Sequence, residues 1–315
     1  MGNRAERSAD VAVFGRRLLV RPVARAGRIA RALLLAPVYG LYTRRLRRDV
    51  LRHPTPRHVA VILDGNRRWA SLSGLREPGA GHRAGADKLD ELIDWCARLR
   101  IEQVTVWALA GENRARTGEE LAALLAVIAD KLDLLAALHA EQSVRIRVLG
   151  RHGELPDRLQ RSIEAVERVT TENEGLRLNI AIGYSGRDEV IDAVRALVRG
   201  LAESGYPSIE MADVITADAL EQHLYTAGEP DPDLIIRTSG EQRLSGFLLW
   251  QGTHSELYFT DVFCRRFASS ISCVPCAASS SGSADSAASS AVRGRVRASA
   301  ARGARQRGAA ALSRA

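Results

Sequence analysis

Asp64, Gly65, Asn66, Arg67 and Arg68 stand together in one short segment, a carboxylate followed by turn residues and two guanidiniums. The five residues before them, Val59 to Leu63, are apolar and mostly β-branched, the pattern of a strand buried on both faces. The tip of such a strand opens onto a loop. Gly65 can take a positive φ, Asn66 is a favoured N-cap, and Arg67-Arg68-Trp69-Ala70 can begin a helix. Free backbone N–H groups and two cations then converge beside one carboxylate, and an anion binds readily in such a place. Asp64, amid that positive potential, is best explained as the ligand of a divalent cation that the anion brings with it. An ordinary strand-to-helix turn capped by Asp or Asn uses the same residue types, so local pattern alone leaves both readings open.

Two further clusters suit the same chemistry. In Gly81-His82-Arg83-Ala84-Gly85, two glycines flank a His and an Arg at the head of an apolar-periodic segment, an arrangement for closing a helix N-terminus over phosphate oxygens. A lone His is more often structural than functional. Between Leu234 and Gln251, a buried-strand pattern leads into a polar loop carrying Arg237, Arg243 and Ser245. Two guanidiniums and a hydroxyl make a fork for a diphosphate, since guanidinium pairs with phosphate in bidentate fashion. A surface Arg–Glu salt bridge is the plainer use of the same loop.

The elements that must hold these clusters follow from periodicity. Short apolar strands at Val59–Leu63, Val104–Ala110, Val144–Leu149, Leu176–Gly183, Leu234–Arg237 and Phe247–Leu249 alternate with amphipathic helices near Gly81–Leu99, Glu119–His139, Pro156–Asn173, Asp188–Glu203 and Ala217–Leu224. Thr117-Gly118-Glu119-Glu120 forms a capping box for the second helix. The alternation predicts a single α/β domain with a mainly parallel central sheet flanked by helices. Ligands of such sheets bind beyond the carboxyl ends of the strands, which places Asp64, Asn113 and Arg237 on one edge. The 315 residues, 46% of them hydrophobic, can bury a sizeable core. The net charge of +8 divides as +10 on residues 1–52, +8 on residues 264–315 and −10 on the middle. A nucleic-acid groove in the core is therefore not expected. A nucleotide-binding domain would need a Gly-x-Gly-x-x-Gly or Gly-x-x-x-x-Gly-Lys string, and the sequence has neither.

The string Val59 to Trp69 closely resembles the signature of the cis-prenyltransferases, the undecaprenyl diphosphate synthases and their shorter-chain relatives. Gly-His-x-Ala-Gly at residues 81–85 and the run from Leu234 to Gln251 resemble the same family. The resemblance implies condensation of isopentenyl diphosphate with an allylic prenyl diphosphate, a new cis double bond and release of pyrophosphate, with Mg²⁺ as cofactor. It implies that Asp64 and Glu256 contact the metal, Glu256 from across a homodimer interface. Gly65, Asn66, Arg67, Arg68, Trp69 and His82 would hold the allylic diphosphate, and Arg237, Arg243, Leu244 and Ser245 the isopentenyl diphosphate. The family usually has an Arg four residues before the His; Pro78 stands there, and Arg76, two residues earlier, takes the part if the loop differs by a residue. Leu109 to Arg116 departs most: Glu112, Asn113 and Arg116 match, whereas Ala110 and Gly111 replace two hydroxyl residues and Arg114 replaces Trp or Leu. Glu112, Arg114 and Arg116 are expected to bind substrate. Asn113 is expected near proton removal, orienting substrate or water, because an amide is a very weak base. The prenyl tail needs an apolar tunnel, plausibly on the Leu121–Leu138 face, and the small Ala108 hints at a longer product. A rival expectation is a non-catalytic accessory member of the family that binds diphosphates without turnover.

The ends read differently. The domain division expected is a basic amphipathic segment at 1–53, a catalytic domain at 54–263 and a low-complexity tail at 264–315. The longest uncharged run near the start, Ala32 to Thr43, holds 12 residues with Pro37 and Gly40 inside, short of the roughly 20 that span a bilayer. That basic helix either packs on the domain or meets anionic lipid as a peripheral contact, and both readings stay open. After Phe263 the resemblance stops, and the Ser/Ala/Gly/Arg tail lacks the apolar periodicity to fold, so it is expected to be disordered. A shifted reading frame and a divergent tail both produce such a sequence. Cys273-Val-Pro-Cys276 lacks a second ligand pair and reads as coincidence, Cys96 reads as a core thiol, and a reducing cytoplasm fits.

Overall fold

A computed structural model describes residues 55–75, 79–111, 118–140 and 144–262, together with positions 41, 44, 45 and 48, which are helical. The chain divides into two compact units, Met1–Asp49 and Val50–Ala315, and the elements named here belong to the second. The tail 264–315, Cys273 and Cys276 lie outside the described residues, as does most of the N-terminal segment.

In chain order the elements are β1 (His58–Ile62), α1 (Asn66–Leu72), α2 (Ala80–Arg98), β2 (Gln103–Ala110), α3 (Gly118–His139), β3 (Val144–Leu149), α4 (Asp157–Thr170), β4 (Leu176–Tyr184), α5 (Gly186–Glu203), α6 (Ser208–Val214), α7 (Ala217–Glu221), β5 (Leu234–Arg237) and β6 (Glu256–Phe259). The six strands form one sheet in the order β3-β4-β2-β1-β5-β6, and every neighbouring pair is parallel. All five residues of central β1 are buried, because helices cover both faces of a parallel sheet and leave no solvent side for a polar residue. At the edge, β3 alternates buried Val144, Ile146 and Val148 with exposed Arg145 and Arg147. Cys96 is buried, as expected of a core residue.

The α/β reading and five of the strands agree with expectation. Phe247–Leu249 does not: it is a turn, entered through Ser245 and Gly246 at φ 52° and 82°, with Leu248 at φ 44°. Its apolar character has a different cause. Phe247 and Leu248 are fully buried, and the Phe247 ring stacks on Trp107 at 5.1 Å and 9°. The sixth strand is instead Glu256–Phe259, set by its pairing with β5 rather than by a buried run. Helix α6 went unread because it is only 7 residues long and buries none of them, too short for a sustained apolar period. No helix among the described residues is long and apolar enough to cross a membrane.

Candidate active site

The sheet brings the exits of β1 and β5 together, since Ile62 pairs with Arg237. Thr238, just past β5, ties the two exits: its Oγ1 accepts from the Asp64 N–H at 3.0 Å and donates to the Asp64 carbonyl at 2.9 Å. The chain then reverses at Gly65, whose φ of 89° is left-handed, and α1 begins at Asn66. The helix cap is thus Gly65, not Asn66. The Asn66 side chain points back, Nδ2 donating to the Leu63 carbonyl at 3.2 Å. The expected free N–H of Gly65 is also committed, donating to Asp64 Oδ1 at 2.6 Å.

Asp64 Oδ2 accepts from Arg237 Nη2 at 2.9 Å, and the Arg237 side chain is only 6% exposed. Burial works against the charged form of Asp64, but the Arg237 guanidinium, the Gly65 N–H and Ser239 together outweigh it and hold the carboxyl below its ordinary range. Arg237 is itself fixed from the other side, Nη1 donating to Ser245 Oγ at 2.9 Å and to the Arg243 carbonyl. Its buried Nε has no partner. Arg237 and Ser245 therefore come together as expected, whereas the Arg243 side chain is 63% exposed and pairs with Glu241. The plainer Arg–Glu salt bridge is thus also present on that loop. Leu244 packs against the core cluster around Phe247 rather than standing in solvent.

Two carboxylates that the sequence reading did not single out as site residues organise the remaining cations. Glu241 accepts from Arg68 Nη2 at 3.2 Å as well as from Arg243, while Arg68 also reaches Ser239 Oγ at 3.1 Å. Glu120 accepts from Arg67 at 3.3 Å and lies 4.0 Å from His82 Nε2. Glu120 was legible only as a capping-box residue, and nothing in sequence spacing links it to α1, 53 positions away. Arg67, Arg68 and the half-buried Trp69 thus lie on α1, just after Asp64 in the chain, and His82 lies in the first turn of α2, where it shares Glu120 with Arg67. The glycines of the Gly81–Gly85 string have a packing task. A Cβ on Gly81 would lie 2.5 Å from the Asn66 carbonyl, and one on Gly85 would lie 2.4 Å from Asn66 Nδ2. They let α2 press against the start of α1.

Beneath this polar rim lies an apolar cavity between α2, α3 and the sheet, with Asn66 and His82 at its polar end and Leu89, Val106, Leu124, Ile128, Leu132 and Ile180 among its walls. Ala108 lines it, as expected of a tunnel wall. Arg76, Glu112, Asn113, Arg114 and Arg116 lie outside the described residues, as does Thr117 of the capping box. The structure does not bring Glu256 to Asp64 within one chain. Glu256 starts β6 opposite Leu234, about 16 Å along the strand direction from Asp64 at ordinary strand rise.

A divalent cation fits the Asp64 site. No group of three or more His, Cys, Asp or Glu side chains that could hold a metal occurs among the described residues; Asp64 would hold the cation as a single carboxylate. One carboxylate is enough where water and substrate phosphates fill a divalent cation's remaining positions. Of the roughly four lone-pair sites on the Asp64 carboxylate, Gly65, Arg237 and Ser239 take three, which leaves one open to a cation.

The family model of undecaprenyl diphosphate synthase, a prenyltransferase family, matches residues 62–271. Isoprenyl transferase 1 of Corynebacterium diphtheriae is 46% identical over 233 residues, 74% of this chain and 87% of that protein. The (2Z,6E)-farnesyl diphosphate synthase of Thermobifida fusca is 48% identical over 231 residues, 73% of this chain and 89% of its own. Among solved structures, lavandulyl diphosphate synthase from Lavandula x intermedia, crystallised with dimethylallyl diphosphate, superposes with a TM-score of 0.66 at 33% identity, covering 71% of this chain and 95% of that one.

Proposed function

The chain belongs to the undecaprenyl diphosphate synthase family of prenyltransferases, and on that premise we propose that it condenses isopentenyl diphosphate with an allylic prenyl diphosphate to extend a cis-prenyl chain. Support comes chiefly from one juxtaposition: the ionised Asp64, locked to buried Arg237, sits beside an apolar cavity whose polar end carries Asn66 and His82. A charged head group and a hydrocarbon tail need that pair of environments side by side.

In the reaction an allylic C–O bond breaks, a C–C bond forms to isopentenyl diphosphate, and one proton and pyrophosphate leave. Mg²⁺, when bound, would supply Lewis-acid stabilisation of the departing pyrophosphate. Asp64 would hold it, with Glu256 of a second copy as the other carboxylate. The distance of Glu256 from Asp64 in one chain supports a homodimer in which that residue serves another site. Arg67, Arg68, Trp69 and His82, with the Gly65–Asn66 turn, would hold the allylic diphosphate, displacing their present carboxylate partners Glu120 and Glu241. Arg237, Arg243 and Ser245 would hold isopentenyl diphosphate, with Leu244 shaping the loop from its place against the core. Arg76, Glu112, Arg114 and Arg116 would add contacts from their loops. Asn113 would orient the group that loses its proton, which passes to a diphosphate oxygen or a hydroxyl, since an amide does not accept it. Residues 54–263 would make up the catalytic domain. The enzyme would work in the cytoplasm, its basic N-terminal segment serving as a peripheral contact for anionic lipid.

Incubation with Mg²⁺, labelled isopentenyl diphosphate and geranyl or farnesyl diphosphate, followed by chromatography, tests this reading. A lengthened prenyl diphosphate that disappears on chelation supports it. A folded, dimeric sample that yields none would contradict it.

A further inference from the structure

The cavity under the polar rim has one wall residue that does not belong with hydrocarbon. Lys131 of α3 lines it, on the same stripe as buried Leu124, Ile128 and Leu135. The Lys131 side chain is only 9% exposed, and its ammonium donates to both oxygens of Asp90 on α2 at 2.6 Å. Asp90 is 47% exposed, so the pair bridges α2 and α3 where the cavity would otherwise run out between them. The lysine stem lies along apolar surface and its head reaches the carboxylate near solvent.

The two helices are also bridged at the other end, where His82 of α2 lies 4.0 Å from Glu120 of α3. From that upper rung to the lower one is 8 residues along α2 and 11 along α3, or about 12 to 16 Å at the helical rise. An isoprene unit has four backbone bonds and spans about 5 Å at ordinary carbon–carbon lengths. About three units fit between the diphosphate rim and the Lys131–Asp90 rung.

Resting on the prenyltransferase reading above, we propose that Lys131, held by Asp90, is the residue that limits product length. A tail of three units reaches the rung, and a fourth must push the ammonium off its carboxylate and lie against a charge without a partner, which an apolar side chain there would not demand. The small Ala108 higher in the wall opens the cavity but does not set its depth.

Product chains from a two-unit starter and labelled isopentenyl diphosphate are compared for the unaltered protein, Lys131→Leu, Lys131→Ala and, as a control on the outward face of the same helix, Asp133→Ala. The unaltered protein and the control are expected to stop mainly at three units, and both Lys131 variants to shift the main product by one or more units. Calorimetric titration with prenyl diphosphates of two to five units serves as a readout that needs no turnover. Affinity of the unaltered protein should fall at least tenfold beyond three units, and Lys131→Leu should remove that drop. Unshifted products and an unchanged affinity series in folded Lys131 variants would overturn the proposal, as would products beyond four units with Lys131 intact. If the unaltered protein makes no product, the transferase reading fails instead, and the affinity series still decides the length claim.

Discussion

Replacing Gly81 by Ala should damage the site by displacing the start of α1, without removing any side chain assigned to substrate. The added Cβ would meet the backbone carbonyl of Asn66 at 2.5 Å and its carbon at 3.0 Å, with the Ala70 Cβ also at 3.0 Å. A backbone oxygen cannot rotate away as a side-chain end can, so the start of α1 must move by about 1 Å to reach ordinary contact, at roughly 1–3 kcal/mol for overpacking. For a domain of this size that corresponds to a Tm lower by about 2–12 °C. The displaced segment carries Arg67 and Arg68, whose present bonds to Glu120, Ser239 and Glu241 run from 3.1 to 3.4 Å. A displacement of that size at a positioning element can cost up to about 100-fold in rate; because two flexible guanidiniums absorb part of it, a rise in KM for the allylic diphosphate of about 3- to 30-fold is expected. Steady-state kinetics at saturating isopentenyl diphosphate and a thermal melt measure both quantities. Unchanged KM with unchanged Tm would refute the argument that Gly81 is there to let α2 approach α1.

Two further perturbations follow from the same geometry. Arg237→Lys replaces a fork that now bonds Asp64 at 2.9 Å and Ser245 at 2.9 Å with a single ammonium, and kcat/KM for isopentenyl diphosphate is expected to fall by about 10²- to 10³-fold; a change under about threefold would remove Arg237 from the binding role. His58, whose ring nitrogens lie 2.8 Å from the Pro230 carbonyl and 2.8 Å from Thr105 Oγ1, has its proton affinity lowered, above all by burial. The unfolded chain therefore takes up a proton that the folded chain refuses, and stability falls as pH drops below about 6.5 toward the folded-state value, by at most about 1.4 kcal/mol per pH unit. Urea midpoints at pH 7.5, 6.5 and 5.5 should show a flatter acid limb for His58→Gln, and parallel limbs would contradict this.

The sequence disclosed those features whose cause is local. Val59 to Leu63 reads as a strand because central β1 has no solvent face, and the following Asp-Gly turn fixes where Asp64 must emerge. Leu234–Arg237 reads correctly for the same reason. Phe247–Leu249 misleads because burial of a turn against Trp107 produces the apolar signal of a buried strand. Glu120 was read as a cap, and the loop holding Glu241 as the place of a surface Arg–Glu salt bridge, since the bonds to Arg67 and Arg68 depend on how α1 lies across α3 and the β5 loop. Lys131 shows the same limit. In sequence it is one charge on a Leu-rich helix, and only the cavity reveals that it faces inward.

Asp64→Asn is the most direct test of the transferase mechanism. Asn keeps the size of the side chain and an acceptor for Arg237, whose bond to Asp64 is 2.9 Å, so the protein should stay folded and bind isopentenyl diphosphate within severalfold of normal. With the charge gone, kcat should fall at least about 10³-fold at saturating substrates and Mg²⁺. A folded variant that keeps more than about a tenth of the turnover would show that the Asp64 carboxylate is not what drives departure of the pyrophosphate.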